Sequence, residues 1–295
     1  MTNPISGLPS AHVGARATLI HADCLDWLAQ QPPRSIHAVV TDPPFGLHEF
    51  TDEEKDKLAV GRGGTWRIPP AIGGVRRMPV PRFTTLSTED VLRLRTFFVR
   101  WTAQLVGALV PGAHVFVASN PLVSHVTFDA IASAGLERRG EVVRLVQTLR
   151  GGDRPKGAES EFPVVSAMAR SAHEPWGIFR KPLEGTLAEC LRRWGTGGLR
   201  RESAGRPFTD VIACAPTRAA ERAISPHPNL KPQRFMRQIV RAALPLGRGV
   251  VLDPFAGGGS TLAAAEWNGY ESVGVEKDAG YFEIAREAVG RLAGL

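Results

Sequence analysis

Two apolar runs in this chain end on the same dipeptide, Asp-Pro, and they stand 211 positions apart. His37-Ala38-Val39-Val40-Thr41 leads into Asp42-Pro43-Pro44-Phe45, and Gly249-Val250-Val251-Leu252 leads into Asp253-Pro254-Phe255-Ala256-Gly257-Gly258-Gly259-Ser260-Thr261. Short valine-rich runs of this kind suit strands buried on both faces, as in a parallel sheet covered by helices. Each aspartate then stands at a strand's carboxyl end, where open α/β sheets collect their ligands.

The rest of the sequence supports that class. Thr18 to Ala22 reads as a strand, Leu25 to Gln31 as a brief helix stopped by Pro32-Pro33, and Ile36 to Thr41 as the next strand of a βαβ unit. Glu89 to Val110 is an amphipathic helix, with Ser87 or Thr88 as N-cap and Pro111-Gly112 as its stop. A strand over His114–Ala118 and a helix over Leu122–Ala134 follow. The rhythm resumes with a helix from Gln233 to Leu244, the Gly249–Leu252 strand, a helix from Ser260 to Asn268, a strand over Ser272–Val275 and a helix from Ala279 to about Leu292. Residues 1–45, 89–143 and 223–295 therefore form one α/β domain. Residues 46–88 break the pattern as a long, mobile, basic loop: between Val60 and Thr88 stand Arg62, Arg67, Arg76, Arg77 and Arg82 and no acidic residue. Residues 144–222 are irregular, with Trp176, Phe179 and Trp194 interleaved among basic residues, and read as an insertion packed onto the core.

At 295 residues and 43% hydrophobic the chain can bury a sizeable core. A formal net charge of +7 suits a polyanionic partner. Only six of the 36 basic residues are lysine; arginine suits bidentate phosphate and guanine contacts, although a GC-rich genome gives the same bias. Cys24, Cys190 and Cys214 have no C-x-x-C spacing, so neither a metal site nor a disulfide framework is expected, and a reducing cytoplasm is the default. No signal peptide or membrane-length apolar run is visible, so no membrane partner is expected.

The glycine turn after Asp253 lets a cofactor approach the backbone. Ser260 and Thr261 are placed to cap the following helix, whose N-terminus favours a carboxylate. The next strand ends at Glu276-Lys277, where an acid suits two ribose hydroxyls. That spacing leaves a nicotinamide dinucleotide open, although the turn is D-P-F-x-G-x-G and not G-x-G-x-x-G. His227-Pro228-Asn229-Leu230-Lys231-Pro232 pins a loop beside this crevice. Asp23, at the end of the first strand, either meets an adenine amino group with the Cys24 amide nearby or caps the helix after it. Asp42 and the Pro43 carbonyl form a rigid pair of acceptors for a planar NH₂ group, and Phe45 offers a ring for stacking; taken alone, such a string is also an ordinary turn.

These segments resemble the DNA amino-methyltransferases that make N6-methyladenine or N4-methylcytosine. The H-x-D-C-L-D-x-L-x-x-x-P segment at His21, D-P-P-F at Asp42, H-P-x-x-K-P at His227, D-P-F-A-G-G-G-S-T at Asp253 and the G-V-E-K-D strand end fit that family over about residues 17 to 47 and 226 to 290. Their order is that of the circularly permuted β group. The resemblance implies a Rossmann-like sheet of seven strands with an inserted target-recognition region at 144–222, and S-adenosylmethionine as cofactor. It implies a flipped base in double-stranded DNA, a possible homodimer and a possible cognate restriction enzyme. It assigns catalysis to Asp42, Pro43, Pro44 and Phe45. Cofactor binding falls to Asp23, Cys24, His227, Lys231, Asp253, Phe255, Ala256, Gly257, Gly259, Ser260, Thr261, Glu276 and Lys277. Phosphate contacts are expected from Arg62, Arg67, Arg76, Arg77, Arg150, Arg154, Lys156, Arg180, Lys181, Arg192, Arg193, Arg200 and Arg201. The D-P-P form favours adenine over cytosine. RNA or protein-glutamine methylation and a non-catalytic DNA-binding module stay open as alternatives.

Overall fold

The computed structural model describes residues 8–44, 87–146, 155, 157–166, 169 and 172–295. Among these, nine strands form one mixed sheet: β1 (Ser10–His12), β2 (Ala17–His21), β3 (Ile36–Thr41), β4 (Leu109–Ala118), β5 (Glu137–Leu145), β6 (His173–Arg180), β7 (Val211–Ala213), β8 (Val250–Asp253) and β9 (Glu271–Glu276). Their order is β1-β2-β9-β8-β3-β4-β6-β5-β7. The expected count was seven; the outermost two, β1 and β7, are three-residue edge strands. β2, β9, β8, β3 and β4 run parallel, and β6 is antiparallel to both its neighbours.

Alternation along the central strands sorts the helices. Val39, Val115, Val117, Leu252 and Val273 face α1 (Cys24–Leu28), α2 (Thr88–Ala108) and α3 (Ser124–Ser133), meeting Trp27, Phe98, Trp101 and Phe128. Ala38, Val40, Phe116, Ala118 and Val251 face the other way, onto Phe235, Met236, Ile239 and Val240 of α6 (Gln233–Ala243). The last two helices, α7 (Ser260–Trp267) and α8 (Ala279–Ala293), close a third cluster with Leu19 of β2. Both sheet faces are thereby covered, as the unbroken valine runs require.

Element ends fall within two or three residues of the expected ones, with one informative exception. Ser87 caps α2 through a reciprocal bond with Asp90, but the helix ends at Ala108 and Pro111-Gly112 lie inside β4. Gly112 sits at φ +76°, and a Cβ there would stand 2.7 Å from Cys190 Sγ, so the pair shapes a strand entry instead of stopping a helix. Residues 144–222 also differ from expectation. β6 lies inside the sheet between β4 and β5, and Trp176 and Phe179 are fully buried. Trp176 and Phe179 belong to the core, whereas α4 (Leu187–Trp194) and α5 (Ala219–Ile224) lie at its edge, each burying one residue, Cys190 and Glu221. No helix among the described residues is long and apolar enough to cross a membrane.

Candidate active site

β3 and β8 are neighbours, so the two Asp-Pro motifs meet. Thr41 Oγ1 donates to Asp253 Oδ1 at 2.7 Å, and the Phe255 amide donates to the same oxygen at 3.1 Å. Burial pushes the Asp253 carboxyl up to about 6, against the bonds from the Thr261 and Thr41 hydroxyls and the Phe255 amide. Thr261 Oγ1 in turn donates to the Val40 carbonyl at 3.2 Å, lashing α7 to β3.

The glycine turn is laid over β9 by a bond from the Ala256 amide to the Val275 carbonyl at 2.9 Å. Glu276 stands beneath it: one oxygen accepts from the Gly257 amide at 2.7 Å and the other from the Asp278 amide at 2.8 Å. Burial raises its carboxyl above the usual range. Gly259, at φ +84°, is the N-cap of α7, and no side chain caps that helix. Ser260 and Thr261, expected as caps, are instead its first two residues, both buried. A Cβ on Gly258 would stand 2.6 Å from His227 Cβ and from Ser225 Oγ. One on Gly259 would stand 2.5 Å from Val289 Cγ2. Gly259→Ala should therefore destabilise the fold by about 1–3 kcal/mol through the clash and the left-handed backbone, read as a lower Tm by calorimetry. An unchanged Tm would contradict the packing described.

Residues 225–233 strap the two halves together. Ser225 Oγ donates to the Gly258 carbonyl, and the His227 ring lies over Gly257 and against Tyr281, with centroids 4.3 Å apart. Burial holds His227 down to about 4, with the Lys231 cation adding to the effect, so the ring is neutral. Farther along, the Lys231 amide donates to Ser260 Oγ at 3.0 Å while its ammonium reaches away from the glycine turn, 2.8 Å from Asp42 Oδ2 and 3.1 Å from Glu174 Oε1. Glu174 also accepts from Trp176 Nε1 and pairs with Arg144, each at 2.9 Å. Glu174 and Arg144 are functional neighbours that sequence reasoning misses; the one signal for them is a lone acid heading the apolar run Pro175–Phe179.

Asp42 is the most distinctive group in the crevice. Its side chain is 18% exposed, Oδ2 is held by Lys231, and Oδ1 is buried without a partner among the described residues. Burial pushes its carboxyl up to about 6 despite Lys231. Pro43 is buried and Pro44 exposed. Phe45 lies outside the described residues, with Arg62, Arg67, Arg76, Arg77, Arg82, Arg150, Arg154 and Lys156.

Other residues expected at the cofactor also have neighbours within the chain. Asp23 caps α1 by accepting from the Leu25 amide and pairs with Lys277 at 3.0 Å. Although burial alone raises it, those two bonds bring its carboxyl below the usual value. Burial lifts the Cys24 thiol to about 12. Phe255 packs against Phe97 and Trp101 under α2.

The basic residues expected on DNA between Arg180 and Arg201 either have partners within the chain or face solvent. Arg180 pairs with Glu137, and Lys181 donates to the Val106 and Leu109 carbonyls at the end of α2. Arg193 pairs with Glu184, and Arg200 donates to the Tyr270 hydroxyl. Arg192 and Arg201 are exposed. All six stand where the parallel strands begin: Arg180 is opposite His114, α4 bonds Pro111 through Cys190, and Arg200 meets the last turn of α6. A six-residue strand such as β3 is about 20 Å long, so they occupy the end of the sheet away from Asp42. Sequence proximity to aromatics does not reveal which end of a strand a residue occupies.

Comparison with known proteins fits this geometry. A family model described as DNA methylase (N6_N4_Mtase) matches residues 165–287. The type II methyltransferase M.HindIII of Haemophilus influenzae is 22% identical over 296 residues, 92% of this chain and 94% of its own length. Type II methyltransferase M.ScaI of Streptomyces caespitosus is 38% identical over 85 residues, 29% of this chain and 26% of that protein. Among solved structures, the cytosine-N4-specific PvuII DNA methyltransferase has a TM-score of 0.62 at 13% identity, over 98% of this chain and 95% of its own. The M1.HpyAVI complex with S-adenosylmethionine has a TM-score of 0.57 at 14% identity, over 92% and 98%. These two show the shared α/β fold, and the family match with the full-length relative supports a DNA amino-methyltransferase of the N6/N4 kind.

Proposed function

We propose that this chain transfers a methyl group from S-adenosylmethionine to the exocyclic amine of a base flipped out of double-stranded DNA, with adenine N6 as the target. The observation that carries the reading is Asp42: a buried carboxylate with one oxygen fixed and the other unpartnered, one residue beyond the threonine bonded to Asp253. An unpartnered buried acceptor is costly unless a ligand uses it. On the cofactor side, the glycine turn is packed closely under His227 and Ser225, and Glu276 holds it from below.

When bound, the cofactor supplies an electrophilic methyl group on a sulfonium. The chain's own residues do the rest. A base amine is a poor nucleophile because its lone pair is delocalised into the ring. Asp42 Oδ1 accepts a hydrogen bond from one of its N–H groups and the Pro43 carbonyl accepts from the other, drawing the nitrogen toward tetrahedral geometry. Phe45 stacks on the extruded ring. Asp42 need not be a strong base, because the amine proton becomes acidic only as the N–C bond forms. Positioning and fixed electrostatics supply most of the rate. On the cofactor side, Glu276 suits the ribose hydroxyls and Asp253 the amino end, with the Cys24 amide and Asp23 near the adenine. The N-terminus of α7 receives the carboxylate.

Phosphate contacts fall to Arg62, Arg67, Arg76, Arg77, Arg150, Arg154 and Lys156. The last described residues before these two segments, Pro44 after β3 and Val146 after β5, stand at the crevice end of the sheet. Aspartate and not serine before Pro-Pro supports adenine. The circularly permuted order is supported by adjacent β3 and β8 carrying the two motifs in reverse of the usual chain order. Nucleoside mass spectrometry on DNA from a methylation-free host expressing the chain tests the reading. N6-methyladenine is expected; N4-methylcytosine would correct the base, and no modified base would overturn the reading.

The pH dependence has a definite sign. Asp42 and Asp253 are both raised to about 6, so each takes up its proton below that value and not near an ordinary 3.8. Transfer should fall as pH drops through about 6, with cofactor affinity falling alongside it as Asp253 protonates. A rate flat down to pH 5 would contradict these assignments.

A further inference from the structure

The buried charges around Asp42 exceed what accepting a hydrogen bond requires. We propose that Lys231 is a positioning residue for Asp42 and not a cofactor contact, and that Glu174 on β6 holds Lys231 in that role. This rests on the reading of Asp42 as the acceptor of the base amine.

Geometry carries the argument. A free carboxylate exchanges its two oxygens by rotation, and either could turn toward the crevice. The ammonium 2.8 Å from Oδ2 removes that freedom and leaves Oδ1 as the acceptor. The ammonium is itself committed, with Glu174 Oε1 at 3.1 Å and a side chain only 14% exposed. Glu174 is the anchor. It receives Trp176 Nε1 on one oxygen and Arg144 on the other, and Arg144 lies directly opposite it across the β5–β6 pair. Lys231 and Arg144 thus face Asp42 and Glu174 in a buried cluster, where an unmatched charge is strongly unfavourable. The main chain of Lys231 is bound to Ser260, the first residue of α7, so one residue spans the glycine turn and the base acceptor. A solvated lysine contacting a cofactor carboxylate needs none of this support.

The charged groups facing Asp42 among the described residues are Lys231 from the strap, Glu174 from β6, Arg144 from β5 and Asp253 from β8. They give opposite signs for two substitutions. Lys231→Gln removes a cation and should move the Asp42 titration upward. Glu174→Gln removes an anion, frees the ammonium for Asp42 alone, and should move it downward. Carboxyl-carbon NMR on the full chain, without DNA or cofactor, reads both shifts. In parallel, Lys231→Gln should lower the transfer rate by about 100-fold, the scale set by misplacing a reacting group by an ångström. Cofactor affinity by calorimetry should be retained, and Lys231→Arg should recover part of the rate. Glu174→Gln keeps the Lys231–Asp42 pair and so serves if Lys231→Gln fails to fold. Shifts of the same sign, no shift in Glu174→Gln, or lost cofactor affinity with the rate retained would overturn the proposal. If the unmodified chain methylates no DNA, the functional reading falls while the two titrations still decide whether the brace exists.

Discussion

Asp42→Ala is expected to abolish detectable methyl transfer while leaving cofactor affinity close to that of the unmodified chain. Removing a single preorganised electrostatic contact at a reacting centre costs about 10²–10³ in rate. The loss here should reach at least that, because alanine also strands the Lys231 ammonium between a void and Glu174. Asp42→Asn refines the test. The amide keeps an oxygen acceptor and the side-chain shape but offers Lys231 a neutral partner, and it can turn an NH₂ toward the crevice where an acceptor is needed. It should be nearly as inactive as alanine while holding stability better. Single-turnover transfer and isothermal calorimetry separate the two effects. Loss of cofactor binding with transfer otherwise intact would mean Asp42 belongs to the cofactor half.

Asp253→Ala should act on the other half, weakening cofactor affinity by about 10–100-fold, the equivalent of about 1–3 kcal/mol for a buried hydrogen-bonded acceptor. Two causes are mixed in that figure. One is loss of a negative charge near the cofactor's amino end. The other is loosening of the turn, since Asp253 Oδ1 holds both the Phe255 amide and the Thr41 hydroxyl. Asp253→Asn separates them, because its amide oxygen still accepts from Thr41 and Phe255 while the charge is gone. Recovery of most of the affinity in the asparagine form would assign the effect to the turn; equal loss in both forms would assign it to charge. Unchanged affinity in Asp253→Ala would remove Asp253 from the cofactor site.

Sequence legibility divides along physical lines. Strands β3 and β8 were readable because burial on both faces leaves an uninterrupted apolar run, and the helices from α6 onward because the proline and glycine that bound them, Pro232 and Gly259, are local signals. β6 was not readable. It carries Pro175 and Gly177 within Glu174-Pro175-Trp176-Gly177, residues that argue against a central strand, and Pro175 is tolerated because it lies near the start of β6, beyond the last β4–β6 pair, Ala118 with Trp176. The crevice was legible as two halves, because each half is a contiguous motif. What joins them was not: the bond from Thr41 to Asp253 crosses 212 positions, and the approach of Lys231 to Asp42 and Glu174 depends on three separate segments. Lys231 was assigned to the cofactor from its neighbours in sequence, and its main chain does meet α7. Its side chain points elsewhere, which only the fold reveals. The placement of Arg180 to Arg201 was unreadable for a similar reason, since charge and aromaticity carry no information about which end of a sheet a residue occupies.

The adjacency of β3 and β8 also bears on how the molecule is made. During synthesis β3 emerges early and can dock β4 soon afterward, but its other flank waits for β8, the better part of the chain later. Such non-local pairing slows folding, because a long loop must close before any contact rewards it. The middle of the sheet, where the crevice lies, is therefore completed late, and an N-terminal piece ending before Val250 holds Asp42 with neither Asp253 nor the glycine turn. Cleaved within 45–86, the molecule would become two fragments that each carry one half of the crevice, so that methylation would report their reassociation.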